Sequence, residues 1–252
     1  MLPSERQNKF LELLSQKDVV TILEFSKEFE VSIETVRRDL SILEKAGKIQ
    51  KVYGGAKLKD LNFSEPSMES RMNTKLSQKD AIGKKCSEFI NDGDCIFIDS
   101  GSTPHHIAKN LSNKKNLLII TNSLLVANEL INTDFEIIII GGSVRHSERS
   151  IVSYNYLFNF SELNIQKSFL GAGGITAKNG ISDFDMQEAV TRKHILERSK
   201  EVFIVADSSK FGKDVTINIA PIDAIDYIVT DSFLDKNLQK NFEENTIIVA
   251  EV

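Results

Sequence analysis

The sequence predicts an α/β protein in two parts, a short N-terminal region of three helices and a β-hairpin followed by a larger domain on a mainly parallel sheet. Three observations predict it. The first 46 residues carry apolar positions at helical spacing behind capping signals. A short alternating segment around Gly54-Gly55 follows them. From residue 78 onward, apolar runs alternate with amphipathic stretches, the pattern of strands buried on both faces by helices.

The first helix is read from Ser4 and Gln7 as a capping box ahead of Phe10, Leu11, Leu13 and Leu14. The second starts at the box Thr21/Glu24, before Ile22, Leu23, Phe25 and Phe29, and the third follows Ser32 and ends at Gly47, a left-handed C′ residue. Lys48 to Tyr53 alternates as a strand, Gly54-Gly55 forms the tip, and Ala56-Lys57-Leu58 returns. Three helices and a hairpin in this order make a winged helix-turn-helix, assigned to residues 1–59. A polar stretch with Pro66, residues 60–77, is read as a linker, and residues 78–252 as the α/β domain. Its expected strands are Cys95–Ile98, Leu117–Ile120, Ile137–Ile140, Ser168–Leu170, Val202–Ala206, Tyr227–Val229 and Ile247–Ala250. Its expected helices cover 78–91, 103–111, 123–132 and 185–199.

Charge is distributed unevenly. The formal net charge of −5 divides into +2 over residues 1–59 (11 Lys+Arg, 9 Asp+Glu) and −7 over the remainder (20 and 27). The two cysteines, Cys86 and Cys95, are too few for a disulfide framework or a four-cysteine zinc site and are expected to pack as small core residues. The charged start lacks a signal-peptide pattern, and no apolar run reaches the roughly 18–20 residues of a membrane helix, so a cytoplasmic protein without membrane association is expected. No cofactor is expected. His105, His106, His146 and His194 have no metal-ligand spacing and are expected at the surface or in loops.

The third helix puts Ile33, Val36, Leu40 and Leu43 on one face at about 100° per residue, leaving Thr35 and Arg38 near the opposite face and Arg37 on the flank. An anchored helix presenting arginines from its N-terminal half suits the DNA major groove, with Ser32 and Thr35 as further donors. Lys48, Lys51, Tyr53 and Lys57 around Gly54-Gly55 would let the hairpin lie along phosphates. For the helix alone, a solvated charged surface is an equal reading; the ordered set of helices and wing favours DNA.

In the larger domain five loops follow consecutive strands: Asp99-Ser100-Gly101-Ser102-Thr103, Thr121-Asn122-Ser123, Gly141-Gly142-Ser143, Gly171-Ala172-Gly173-Gly174 and Asp207-Ser208-Ser209-Lys210. Open α/β sheets bind ligands at this edge. Small hydroxyl-rich loops opening a helix suit a phosphate.

The string Ser32-Ile33-Glu34-Thr35-Val36-Arg37-Arg38-Asp39-Leu40, with Leu43, Gly47 and Val52-Tyr53-Gly54-Gly55-Ala56, closely resembles the DNA-binding signature of DeoR-type repressors. The resemblance covers essentially the whole chain. It implies a sequence-specific DNA-binding regulator, a repressor of sugar-metabolism genes relieved by a phosphorylated sugar, working as a homo-oligomer of at least a dimer on operator DNA. It also implies a sensor domain similar to ribose-5-phosphate isomerase and glucosamine-6-phosphate deaminase. On that likeness Ser100 to Thr103 would hold the phosphate, Lys210 would face it, and Glu188 and Arg192 would lie near the sugar. A solvated i,i+4 pair is an equal reading of Glu188 and Arg192. Gly173 stands where many such proteins carry Asp, which argues against catalysis, so no catalytic residue is assigned. The alternative is an active sugar-phosphate isomerase or deaminase with a DNA-binding arm.

Overall fold

The computed structural model describes residues 3–17, 19–46, 48–58, 65–153, 159–243 and 246–252. The chain divides into two compact units, Met1–Ser64 and Glu65–Val252. Among the described residues no helix is long and apolar enough to cross a membrane.

The first unit contains α1 (Pro3–Gln16), β1 (Val20–Thr21), α2 (Ile22–Glu28), α3 (Ile33–Lys45), β2 (Ile49–Val52) and β3 (Gly55–Leu58). Phe10, Leu14, Val20, Phe25, Val36, Leu40, Leu43, Ile49 and Ala56 form its core, with the Phe10 and Phe25 rings stacked at 4.5 Å. Thr21 and Glu24 form the expected capping box on α2, and Ser32 caps α3 by accepting from the Thr35 amide. The Ser4 side chain and Gly47, expected to close α1 and α3, lie outside the described residues. The Gln7 amide is spent on Asp39 Oδ1 at 3.1 Å.

Three details differ from the sequence reading. Ile33 and Leu23 are exposed, at 37% and 62%, so the core face of α3 is Val36, Asp39, Leu40 and Leu43. The strand β1 is new; it pairs antiparallel with β3 and gives the sheet order β1-β3-β2. The hairpin tip is Tyr53-Gly54, closed by the Val52–Gly55 pair. Gly54 supplies the positive φ of +78° that the second turn position requires. Gly55 lies in the strand against β1, where a Cβ would stand 2.3 Å from the Val20 carbonyl oxygen. The short return strand therefore has two partners, which alternation in one segment cannot reveal.

The second unit runs through α4 (Met68–Met72), α5 (Leu76–Glu88), β4 (Cys95–Ile98), α6 (Ser102–Lys109), β5 (Leu118–Thr121), α7 (Leu124–Leu130) and β6 (Glu136–Ile139). It continues with β7 (Ser143–Arg145), β8 (Ser150–Val152), β9 (Ile165–Leu170), β10 (Gly174–Thr176), β11 (Gly180–Asp183), α8 (Met186–Leu196) and β12 (Ser199–Val205). It ends with β13 (Ile217–Ala220), β14 (Tyr227–Asp231), α9 (Lys236–Gln239) and β15 (Ile247–Ala250). Seven strands form one sheet in the order β15-β14-β12-β9-β4-β5-β6, every pair parallel. All seven expected strands are present, Cys95–Ile98 and Ile247–Ala250 with the expected bounds and the other five with ends shifted by one to three residues. One face buries Ile82, Cys86, Ile107 and Val126 from α5, α6 and α7 against Ile96, Ile98, Phe169 and Phe203. The other buries Ala189 and Ile195 of α8, with Ile175, Ile181 and Ile219 of the antiparallel sheet β10-β11-β13, against Phe97, Leu170 and Ile204.

Residues 65–77, read from the sequence as linker, fall in the second unit, where Ser67 caps α4 and Met68 is buried. His105 and His106, expected at the surface, are buried where α6 packs on α5. Gly83 permits that approach, since a Cβ there would lie 2.5 Å from the His106 carbonyl. Burial pushes both imidazole pKa values down. His146 and His194 are exposed.

Candidate DNA-reading surface and effector cavity

The α3 helix is fixed from behind. Asp39 is 2% exposed and accepts from Arg6 Nε at 2.6 Å as well as from Gln7, tying α1 to α3. The sequence reading passed over Asp39; a carboxylate within an apolar stripe was the available signal. Val36, Leu40 and Leu43 complete the anchored side, leaving Arg37 and Arg38 exposed. Neither guanidinium has an ion-pair partner among the described residues. The Ser32 hydroxyl is committed as the N-cap and lies 3.0 Å from Thr35 Oγ1, so these two residues shape the helix start as well as lining it. Lys51 is turned toward α3, 2.8 Å from Ser41 Oγ and 3.1 Å from Glu44. Tyr53 is fully exposed at the hairpin tip. The tip is held down by the Gly54 carbonyl, which accepts from the Ile22 amide at 2.9 Å.

In the second unit, strand order reverses between β4 and β9, so their C-terminal ends diverge into a crevice, the place where doubly wound sheets bind ligands. A cavity of about 170 Å³ opens there. Ser100, Gly101, Ser102, Thr103, Gly171, Gly173, Glu188, Arg192, Asp207 and Lys210 line it, all expected from the sequence. The other expected residues do not. Asp99 lies behind it, fully buried, accepting from Ser100 N, Gly171 N and Arg192 Nε at 2.8, 2.9 and 2.5 Å. Asn122 accepts from Ser100 N at 2.9 Å, Thr121 donates to the Ile98 carbonyl, and Ser123 caps α7. Gly141 and Gly142 precede the β7–β8 hairpin, and Gly142 passes close to the Val152 carbonyl. Gly174 is in β10, where a Cβ would sit 2.3 Å from the Lys213 carbonyl. These residues shape the loops instead of facing the space.

Arg192 is an internal clamp rather than a solvated partner of Glu188. It bridges Asp99 and, at 2.6 Å, Asp183. Glu188 accepts from Ser100 Oγ at 3.1 Å and Ser150 Oγ at 2.6 Å. Burial raises its carboxyl pKa to about 7, with Arg192 pulling it down and Asp99 pushing it up.

Several lining residues that sequence reasoning missed come from the presumed linker and from the start of the helix after it. Glu65, Arg71, Thr74, Lys75 and Lys79 form one wall of the cavity. Arg71 pairs with Glu148 and Glu65, and Lys75 donates to Asp207 at 2.5 Å. Lys79 donates to the carbonyls of Arg71 and Thr74. Burial lowers its pKa to about 8 and also lowers that of Lys210. Among the described residues, Lys210 is the cavity cation with neither a hydrogen-bond nor an ion-pair partner. The α6 helix opens toward the same space with no side-chain cap, behind Gly101 at φ +131°. At Gly173 a Cβ would stand 3.0 Å from Val215 Cγ2 and 3.1 Å from the Phe184 ring, so apolar atoms crowd the place an acidic side chain would start from. No metal-binding cluster occurs among the described residues.

The comparisons agree with this division. A family model described as the DeoR-like helix-turn-helix domain matches residues 6–61, and one described as the DeoR C terminal sensor domain matches residues 74–232. The glycerol-3-phosphate regulon repressor of Escherichia coli (strain K12) is 36% identical, covering 92% of this chain and 92% of that protein. The HTH-type transcriptional regulator IolR of Bacillus subtilis (strain 168) is 36% identical over 94% of each. Ribose 5-phosphate isomerase A from Neisseria gonorrhoeae superposes with a TM-score of 0.40 and 20% identity, over 54% of this chain and 53% of its own. The two family models together, and each of the two regulators, match over most of the chain, and the chain belongs to the DeoR family of DNA-binding transcriptional regulators.

Proposed function

We propose that the protein is a cytoplasmic repressor whose grip on operator DNA is released when a phosphorylated sugar fills the cavity of the second unit. The observation that carries this is the pairing of an uncapped helix start at Gly101–Thr103 with an unpartnered, half-buried Lys210. Backbone donors at a helix N-terminus and a desolvated ammonium suit a phosphate dianion far better than a neutral hydroxyl. The name of the Escherichia coli relative, a glycerol-3-phosphate regulon repressor, supports the same ligand class. Glu188 and Asp183, on the Arg192 side, are suited to sugar hydroxyls.

Release follows from connectivity. The wall formed by Glu65, Arg71 and Lys75 is the chain that leads to the DNA-binding unit. A ligand engaging Arg71 or Lys75 competes with Glu148 and Asp207 for them and so favours one arrangement of that segment, which is what a switch requires. Coupling of about 1–3 kcal/mol would change operator affinity roughly 5–150-fold. On DNA, Arg38 reads bases and Arg37 holds phosphate, with Ser32, Thr35, Lys51, Tyr53, Gly54 and Gly55 supporting the approach. One short helix and wing read few base pairs, so the working species is at least a dimer on paired half-sites.

The test is calorimetry with glycerol 3-phosphate, ribose 5-phosphate and glucosamine 6-phosphate beside their unphosphorylated counterparts, on wild type and Lys210→Ala. A titration of duplexes selected from a randomised pool follows. Phosphosugar binding that depends on Lys210 and weakens DNA binding is expected. Equal binding of free and phosphorylated sugars would refute the phosphate assignment, and tight phosphosugar binding with unchanged DNA affinity would refute the switch. Light scattering that finds a monomer still bound tightly to DNA would refute the dimer.

A further inference from the structure

The first turn of α3 carries two exposed residues that the DNA reading above does not use. Ile33 is the first helical residue and 37% of it is open to solvent; Glu34 follows, also exposed. Neither packs into the core formed by Val36, Leu40 and Leu43. At about 100° per residue, Glu34, Arg37, Arg38 and Ser41 occupy one continuous sector facing away from that core, and Ile33 stands at its edge, next to Leu40 on the wheel but open to solvent because the helix begins there. Glu34 and Arg38 stand at i,i+4 in the order that favours an ion pair, yet no such pair forms among the described residues. The acid and both arginines are thus left open on the same side of the helix, with an isoleucine at its tip.

A helix that enters the major groove brings its N-terminal residues to the base edges. An exposed β-branched side chain there meets one apolar group in that groove, the 5-methyl of thymine. A carboxylate near phosphates is repelled unless it accepts from a base donor, and the 4-amino group of cytosine is the matching one. We propose that Ile33 and Glu34 set the operator preference, Ile33 by packing on a thymine methyl and Glu34 by accepting from a cytosine amino group beside it. This rests on α3 being the DNA-reading helix. It assigns part of the sequence choice within the half-site to its first turn, beside the base reading by Arg38 and the phosphate contact of Arg37.

The experiment is selection from a pool of randomised duplexes by the full-length wild type, Ile33→Ser, Ile33→Val and Glu34→Gln. Wild type is expected to enrich a half-site with a fixed thymine and a neighbouring fixed cytosine. Ile33→Ser should lose the thymine alone, Ile33→Val should keep it, and Glu34→Gln should relax the cytosine. Replacing that thymine by deoxyuridine removes only the methyl. It should weaken wild type about fourfold, the value of one buried methyl-sized group, and leave Ile33→Ser unchanged. Because Ile33 is exposed, an unaltered melting temperature of Ile33→Ser is expected, and Ile33→Val serves as the conservative control. The proposal is overturned if Ile33→Ser enriches the same motif with its thymine intact, or if deoxyuridine weakens both proteins equally. In either case the reading of α3 stands, since a motif was still selected. A wild type that enriches no motif overturns that reading and this proposal together.

Discussion

The two units deploy their charges in opposite ways. In the DNA-binding unit the cations that matter, Arg37 and Arg38, are outside and unpaired, and the buried charge is the pair Arg6–Asp39. In the sensor unit cations and carboxylates point inward and interleave: Arg192 between Asp99 and Asp183, Lys75 on Asp207, Arg71 on Glu148. On the proposed function, the difference follows from the partners. A DNA backbone presents a long array of phosphates to a convex surface, so exposed cations suffice and are screened by salt. A single small anion offers few contacts, and only a desolvated, pre-arranged set of donors distinguishes it from others.

The comparison is broken most forcefully by removing the central charge of each network. Arg192→Met leaves Asp99 and Asp183 buried without a counter-charge and is expected to cost about 3–5 kcal/mol of sensor stability. Asp39→Ala leaves only Arg6, whose side chain is 12% exposed and can reach water, so its cost should fall toward the lower end of the same range. Calorimetric unfolding should show each variant lowering a different transition. If Asp39→Ala shifts the same transition as Arg192→Met, the units do not unfold independently.

A second difference is pH. Burial raises the Glu188 carboxyl from 4.5 to about 7, whereas the Glu24 carboxyl on α2 is lowered to about 2, chiefly by the Thr21 amide in its capping box. Glu188 is bound in its protonated form by the folded state, so its favourable contribution is complete below about pH 4.5. It declines as the pH rises through 7, where the unfolded carboxyl has already released its proton. A displacement of about 2.5 pK units corresponds to about 3 kcal/mol at most between pH 4.5 and 8. Denaturant titrations should show the sensor transition weakening over that window in wild type and nearly flat in Glu188→Gln. A wild-type sensor whose stability is level from pH 4.5 to 8 contradicts the assignment.

What the sequence disclosed follows the same division. Seven β-strand runs such as Cys95–Ile98 and Ile247–Ala250 were legible because parallel strands buried on both faces are continuously apolar. The accessory strands Gly174–Thr176 and Gly180–Asp183 were not; they are short, rich in small and polar residues, and paired across loops. Eight cavity residues were named in advance because strand-end loops announce themselves by composition, whereas Glu188 and Arg192, on α8, came only from the family resemblance. Arg71 and Lys75 were missed because they lie in a polar stretch that looks like a linker, Lys79 because it sits in an amphipathic helix, and all three reach the cavity only through the tertiary fold. Ile33 was misassigned because the first turn of a helix projects past the core it leads into, so its place on the helical wheel does not decide its burial.

The smallest expected effect concerns how each unit finishes its key helix. The α3 start is closed by its own chain, with Ser32 Oγ accepting from the Thr35 amide at 3.2 Å. The α6 start is left open, with Gly101 at the cap position and no side-chain acceptor. A closed start adds stability at all times; an open one gains it only when an anion arrives. Ser32→Ala should therefore cost the DNA-binding unit about 1 kcal/mol, Ser32→Asp should restore it, and Ser32→Gly should lose only a few tenths. Inorganic phosphate at its own dissociation constant should raise the sensor transition by about 0.4 kcal/mol, following RT ln 2, and leave the DNA-binding transition where it was. Calorimetric scans of wild type and the three Ser32 variants, with phosphate and with chloride at matched ionic strength, separate the two effects. A phosphate shift confined to the DNA-binding transition would reverse the assignment of which helix start awaits the anion.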